Sequence, residues 1–246
     1  MMRTDHFDES TVEQAAKEWL AEIGFHTGYA PVDAAPKDVR DSLSECILWK
    51  HVTDALTRLN PGADPDLIRS AVARIQRAES QDVMTENQRL YELMVRGVPV
   101  ETTGDDGRPS TVRLRLVDFD SPENNDWRAL NQFTIIEAGH NRRPDMLIFL
   151  NGLPVGLLEL KNSADINAKL RRAWNQIQTY RSEIPSVFIP NVVTVISDGT
   201  SAAMSSFTGG FEHYAPWKTI DGRDVITNRP ALEVLLKGVF DPHRFL

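Results

Sequence analysis

The chain has 246 residues, 41% of them hydrophobic and 25% charged, the composition of an ordinary folded domain. No apolar run reaches the roughly 18 residues that cross a bilayer, and the opening MMRTDHFDESTVEQ is polar, so neither a membrane role nor a secretory leader is expected. A single cysteine, Cys46, excludes an internal disulfide and a Cys/His metal centre and points to the cytoplasm; within SECILWKHV it reads as a small buried hydrophobe. The net charge of −8 excludes a surface that grips nucleic acid everywhere, yet the window from Gly139 to Arg181 carries a local +4. Such a reversal suits either a polyanion site or a solvated helix face.

The expected elements begin with a helix capped by Ser10 or Thr11, with Val12, Ala15, Ala16, Trp19, Leu20 and Ile23 at helical spacing and Gly24 as its end. A loop rich in Pro and Ala (YAPVDAAPKD) leads to amphipathic segments at about 38–60 and 65–79, divided by Asn60-Pro61-Gly62, then a short helix at about 85–96 before Gly97. The period then alternates. TVRLRLVDF (111–119) sets Val112, Leu114 and Leu116 against Arg113 and Arg115, a half-buried strand. QFTIIE (132–137), DMLIFL (145–150) and VGLLELK (155–161) read as strands, followed by a helix over about 164–182, the strand VVTVIS (192–197), an Asp198-Gly199 turn and a strand toward Phe207. Apolar strands with a helical crossover predict an α/β fold, a mixed central sheet flanked by helices. Residues 1–98 are expected as a mainly helical region packing on the core, 99–216 as the α/β core carrying the chemistry, and 217–246 as a linker.

The stretch RRPDMLIFLNGLPVGLLELKN sets Asp145 at the start of one apolar strand and Glu159 and Lys161 near the end of the next. Residues two apart on a strand share a face, so Glu159 and Lys161 point the same way. Asp145 joins them only if the hairpin has the right parity. A two-residue Asn151-Gly152 turn alone turns Asp145 to the other face, whereas a three-residue Leu150-Asn151-Gly152 turn with Gly152 at positive φ restores it. The three-residue turn is therefore expected, with a bulge elsewhere in 150–158, for instance at Gly156, as the acceptable variant. Two carboxylates make a hard oxygen site that suits Mg²⁺, and a neighbouring lysine can hold a hydroxide or neutralise charge on a phosphate. The alternative is an ion pair at a strand end, but a charged trio emerging from apolar strands is costly unless paired or metal-bound. On the following helix Ile166, Leu170, Ala173, Trp174 and Ile177 form the packing stripe, and Gln176 and Tyr180, four apart, share a face from which they can orient a lysine, a water or a DNA backbone.

Asp145, Glu159 and Lys161, arranged as PD-x13-ELK, resemble the PD-(D/E)xK nuclease motif, and Gln176-x-x-x-Tyr180 resembles the QxxxY element of RecB-like nucleases. The extended string, with NQFTIIE before it, NQIQTY and VISDG after it, and the flanking TVEQAAKEWLAEIGF and YAPWKT, is similar to the N-terminal region of type I restriction R subunits. The resemblance implies a restriction-endonuclease-like core, Mg²⁺-dependent cutting of double-stranded DNA, and a site completed by a first-helix glutamate, here Glu13. The other reading of Glu13 is a solvent-exposed residue favoured by the helix dipole. It further implies specificity and methyltransferase subunits as partners and an ATP-driven motor in the full-length subunit. No GxxxxGK[ST] loop occurs here, so ATP is not expected to bind this chain, and the apolar ending LLKGVFDPHRFL is expected to lead toward the motor.

These readings converge on an Mg²⁺ held by Asp145, Glu159 and the Leu160 carbonyl, with Lys161, Gln176, Tyr180 and Glu13 as further catalytic candidates. Arg142, Arg143, Lys169, Arg171 and Arg172 are candidate DNA contacts. The competing functions are a non-catalytic nucleic-acid-binding or assembly module on the same fold, and a RecB-like or resolvase nuclease.

Overall fold

A computed structural model of the chain describes residues 9–37, 39–103, 107–161 and 166–246; the side chains of Glu9 and of residues 166–169 lie outside the description. Helix α1 (Glu9–Glu22) buries Val12, Ala16 and Leu20, and Gly24 follows it at φ 96°, a conformation that suits glycine. Strand β1 (His26–Tyr29) and the single turn α2 (Ala30–Asp33) occupy the stretch expected as a loop. Helix α3 (Trp49–Leu59) is shorter than the expected 38–60. The reason is Arg40, whose buried guanidinium donates to the carbonyls of Ala34, Glu45 and Thr134 and stacks over Phe133, holding the preceding segment in an irregular path. Asp64 caps α4 (Pro65–Gln76) and Asp82 caps α5 (Val83–Arg96) through the Asp66 and Thr85 amides, and the two helices fall in the segments expected at about 65–79 and 85–96.

Strands β2 (Val98–Thr103) and β3 (Pro109–Leu114) form a hairpin outside the central sheet. The strand expected to run to Phe119 stops at Leu114, because Asn60 takes the Arg115 amide (2.7 Å) and Asp118 binds the amides of Asp120 and Ser121 in a turn. Strand β4 (Trp127–Asn131), not anticipated from sequence, is central; QFTIIE supplies only β5 (Ile135–Glu137), paired with β6 (His140–Arg142). The later strands and helix lie where expected: β7 (Met146–Leu150), β8 (Leu153–Leu160), α6 (Ile166–Glu183), β9 (Val193–Ser197) and β10 (Ala202–Ser205). Residues 231–246, expected within a linker, instead form α7 (Ala231–Val239) and α8 (Pro242–Phe245). Leu232, Leu235, Leu236 and Phe240 are fully buried, as an apolar LLKGVF run demands.

Among the described residues the main sheet has six strands in the order β1-β4-β7-β8-β9-β10, parallel between β1 and β4 and between β8 and β9 and antiparallel elsewhere. This mixed sheet flanked by helices is a restriction-endonuclease-like architecture. One face packs Met146, Ile148, Leu158, Leu160 and Val195 against α1 and α7. The other packs Leu147, Phe149, Leu157 and Ile196 against Ala173, Ile177 and Tyr180 of α6.

The β7–β8 hairpin departs from expectation in an instructive way. Leu150 pairs with Leu153, so the turn has two residues, Asn151 at φ 49° and Gly152 at φ 85°, both left-handed as a type I′ turn requires. The parity is corrected further along, in the variant foreseen for a bulge. Phe149 pairs with Pro154 but Ile148 pairs with Gly156, so Val155 is the extra residue. Val155 and Leu157, two apart, accordingly face opposite cores. The two-residue turn wins because it docks on neighbours: Asn151 Oδ1 accepts from the Asp126 amide (2.7 Å) and Arg58 (3.0 Å), its Nδ2 donates to Leu116 O and Asn125 Oδ1, and Gly152 O accepts from the Leu48 amide (2.9 Å).

A Cβ on Gly152 would lie 2.5 Å from Leu48 O and 2.9 Å from Val52 N, in addition to its positive φ. Gly152→Ala is therefore expected to lower unfolding stability by about 2 kcal/mol or more, measured by urea denaturation. A loss below about 0.5 kcal/mol would mean that the turn does not lock the hairpin.

Candidate active site

The bulge sets the register that matters. From Ile148–Gly156 onward β7 and β8 pair without further shift to Met146–Leu158, and one more step places Asp145 opposite Glu159. The carboxylates therefore share a face, the one covered by α6. Asp145 Oδ2 accepts the Leu160 amide (2.7 Å), which draws that side chain across the end of β8. A strand residue projects its N–H and C=O to the same edge, so the Leu160 carbonyl faces the Asp145 side as well. Lys161 Nζ donates to Glu159 Oε1 (2.6 Å) and lies 3.9 Å from Asp145 Oδ2. The Tyr180 hydroxyl donates to Glu159 Oε2 (3.0 Å), and Gln176 stands one turn earlier on the same helix. Asp145, Glu159, Lys161 and Tyr180 are thus brought into one connected group, with Gln176 four residues before Tyr180 on α6.

Glu159 is only 1% exposed. Burial, and then the charge of Asp145, push its carboxyl up to about 8 against the opposing pull of Lys161 and Tyr180. Burial and the same two carboxylates raise the Tyr180 phenol, which keeps its proton and serves as a donor. Among the described contacts, the Lys161 ammonium lies against both acids. The donors at this site are all oxygens, two carboxylates and a backbone carbonyl, which fits a hard divalent cation completed by water. Among the described residues no group of three or more His, Cys, Asp or Glu side chains that could hold a metal ion occurs, here or elsewhere.

Glu13 lies on a different element but is tied to the same region. It is buried, contrary to the solvent-exposed reading, and accepts from Asn131 Nδ2 (2.9 Å) and Gln132 Nε2 (2.7 Å) at the end of β4. The basic candidates are scattered. Arg142 is ion-paired with Glu183 at the end of α6, Arg171 stacks over Trp174 and Phe211, and Arg143 and Arg172 are exposed. The Lys169 side chain lies outside the described residues. Asn131 and Gln132 were not singled out from sequence. Their signal was the Asn-Gln pair preceding the apolar run of NQFTIIE, which reads there as a strand start.

A six-stranded mixed α/β sheet whose strand ends gather an aspartate, a glutamate and a lysine defines a restriction-endonuclease-like protein. The model of the family described as the type I restriction enzyme R protein N terminus matches residues 6–213, and the chain belongs to that family. It is 33% identical to the type I restriction enzyme HindI endonuclease subunit of Haemophilus influenzae, over 97% of this chain and 23% of that protein. It is 26% identical to the putative type I restriction enzyme MjaIXP endonuclease subunit of Methanocaldococcus jannaschii, over 88% of this chain and 21% of that protein. The chain thus spans less than a quarter of the length of these relatives. No helix among the described residues is long and apolar enough to cross a membrane.

Because the folded-state pKa of Glu159 is raised, the folded chain holds a proton that the unfolded chain has released. The metal-free protein should lose stability as pH rises from the usual carboxylate range to about 8, then level off. Glu159→Gln should abolish that loss, so that the variant melts near the wild type at about pH 4 and above it at about pH 9. A parallel pH dependence of the two melting temperatures would contradict the raised ionisation.

Proposed function

We propose that this chain is the Mg²⁺-dependent endonuclease part of a type I restriction enzyme R subunit, hydrolysing phosphodiester bonds of unmodified double-stranded DNA. The observation that supports this best is the placement of Asp145 opposite Glu159 with Lys161 between them at one end of the sheet. Asp145, Glu159 and the Leu160 carbonyl would hold the ion. A bound Mg²⁺ supplies Lewis acidity and a water of lowered pKa. Lys161 places a positive charge where a phosphate's developing negative charge needs stabilising. Tyr180 fixes the second oxygen of Glu159, so the carboxylate keeps one orientation within a buried wall. Burial on α6 excludes bulk water from that wall and strengthens each of these interactions.

The chain's own grip on DNA is weak in this account. Of the basic residues near the site, Lys161 and Arg142 are engaged by acids and Arg171 by aromatic rings. Sequence choice and the main DNA affinity then belong to the specificity and methyltransferase subunits, and ATP-driven translocation to motor domains of the full-length subunit, which also act in the cytoplasm.

In a reconstituted complex, Asp145→Ala should abolish DNA cleavage while ATP-driven translocation continues; retained cleavage would overturn the assignment. Lys161→Ala should slow cleavage by about 10²–10³-fold with divalent-ion binding kept. The chain alone should bind duplex DNA more weakly than about 1 µM at physiological salt and lose that binding steeply as salt rises. A dissociation constant below about 1 µM at physiological salt in a fluorescence-anisotropy titration would point to a basic surface that the charge distribution does not contain.

A further inference from the structure

Strand β4 ends at Asn131, and the side-chain amides of Asn131 and of the next residue, Gln132, are both directed at one acid from a distant part of the chain. Asn131 Nδ2 donates to Glu13 Oε2 (2.9 Å) and Gln132 Nε2 donates to Glu13 Oε1 (2.7 Å), so both oxygens of a buried carboxylate rest on neutral donors. Gln132 also donates its backbone N–H to the carbonyl of Asp145 (3.0 Å). One residue therefore links the Glu13 carboxylate on α1 to the main chain of the aspartate in the acidic pair.

Two further features show that this arrangement is selected over easier local structure. Gln132 sits at φ 60°, a left-handed conformation that a glutamine adopts only when its surroundings fix it. Asn131 Oδ1 is buried with no hydrogen-bond partner among the described residues, so the amide is turned to serve Glu13 although its own acceptor goes unmet. Such departures collect where function, rather than local stability, sets the geometry. Both contacts to Glu13 are hydrogen bonds from neutral amides.

We infer that Asn131 and Gln132 form an amide clamp that positions the Glu13 carboxylate relative to Asp145, and so tunes the affinity of the acidic site for a divalent cation. Gln132 is a positioning residue, acting through Glu13 and through the Asp145 backbone. The inference rests on the metal-dependent reading above.

The test is titration calorimetry of the chain with Mn²⁺, comparing wild type, Gln132→Ala, Glu13→Gln and the double variant, with Asp145→Ala alongside. Gln132→Ala should weaken Mn²⁺ binding by about tenfold, the scale of outer-shell partners of metal sites. In the Glu13→Gln background the same substitution should weaken it no further, since the clamp then holds nothing. Gln132→Gly relieves the positive φ and should melt above Gln132→Ala, yet bind Mn²⁺ equally weakly; this separates loss of the amide from loss of fold. Unchanged affinity in both Gln132 variants, or losses that multiply in the double variant, would overturn the clamp. Loss of binding in Asp145→Ala together with unchanged affinity in the Gln132 variants refutes the clamp alone, whereas full binding in Asp145→Ala refutes it and the metal reading together.

Discussion

The pairing of β7 with β8 is the constraint on which the acidic site depends. A two-residue type I′ turn is the tightest way to reverse the chain, and Asn151 and Gly152 are suited to it. Left uncorrected, that turn would place Asp145 and Glu159 on opposite faces, one against α1 and the other against α6. The single extra residue Val155 reverses the alternation midway along β8. Its carbonyl is not wasted, since it accepts the Val192 amide (2.8 Å) on the approach to β9. Turn and bulge thus act as a pair: the turn is anchored in the surrounding loops, and the bulge spends one residue to return the carboxylates to a common face.

What the register brings together is electrostatically unfavourable on its own. Glu159 is buried beside a second carboxylate, with one lysine between them and a phenol as its other partner. The interior of a sheet-and-helix sandwich disfavours such charges unless they are paired, and burial together with the Asp145 charge raises the Glu159 carboxyl in spite of Lys161. The surrounding core compensates: strands β7 and β8 are buried along their whole length between two helical layers. Perturbed carboxyls held on a stable scaffold are characteristic of functional sites.

The strand pair, α1, α4, α5 and α6 were legible in the sequence because their apolar periods are long, although Ser10 and Thr11, expected to cap α1, lie inside it. The Asp145–Glu159–Lys161 group was legible for a different reason: charges interrupting apolar strands have few structural uses. The parity of the hairpin was legible as a requirement but not as a mechanism, because turn length and bulge position trade against each other and Val155 carries no bulge signal of its own. Strand β4 escaped notice because its five residues, WRALN, alternate too briefly beside polar flanks. The helix expected over 38–60 failed at its first half because Arg40 captures carbonyls from three separate segments, a tertiary interaction that no local pattern encodes. The final helices failed as a linker reading for the opposite reason, since an apolar run that seemed to end the domain instead completes its core.

The central claim is that the register makes Asp145 and Glu159 a single divalent-ion site. Anomalous diffraction at the manganese edge from crystals of the chain soaked in Mn²⁺ tests it most directly. The account predicts one peak about 2.1–2.2 Å from a carboxylate oxygen of each of Asp145 and Glu159 and from the Leu160 carbonyl. A peak elsewhere, or none beside an intact Asp145–Glu159 pair at saturating Mn²⁺, would contradict it.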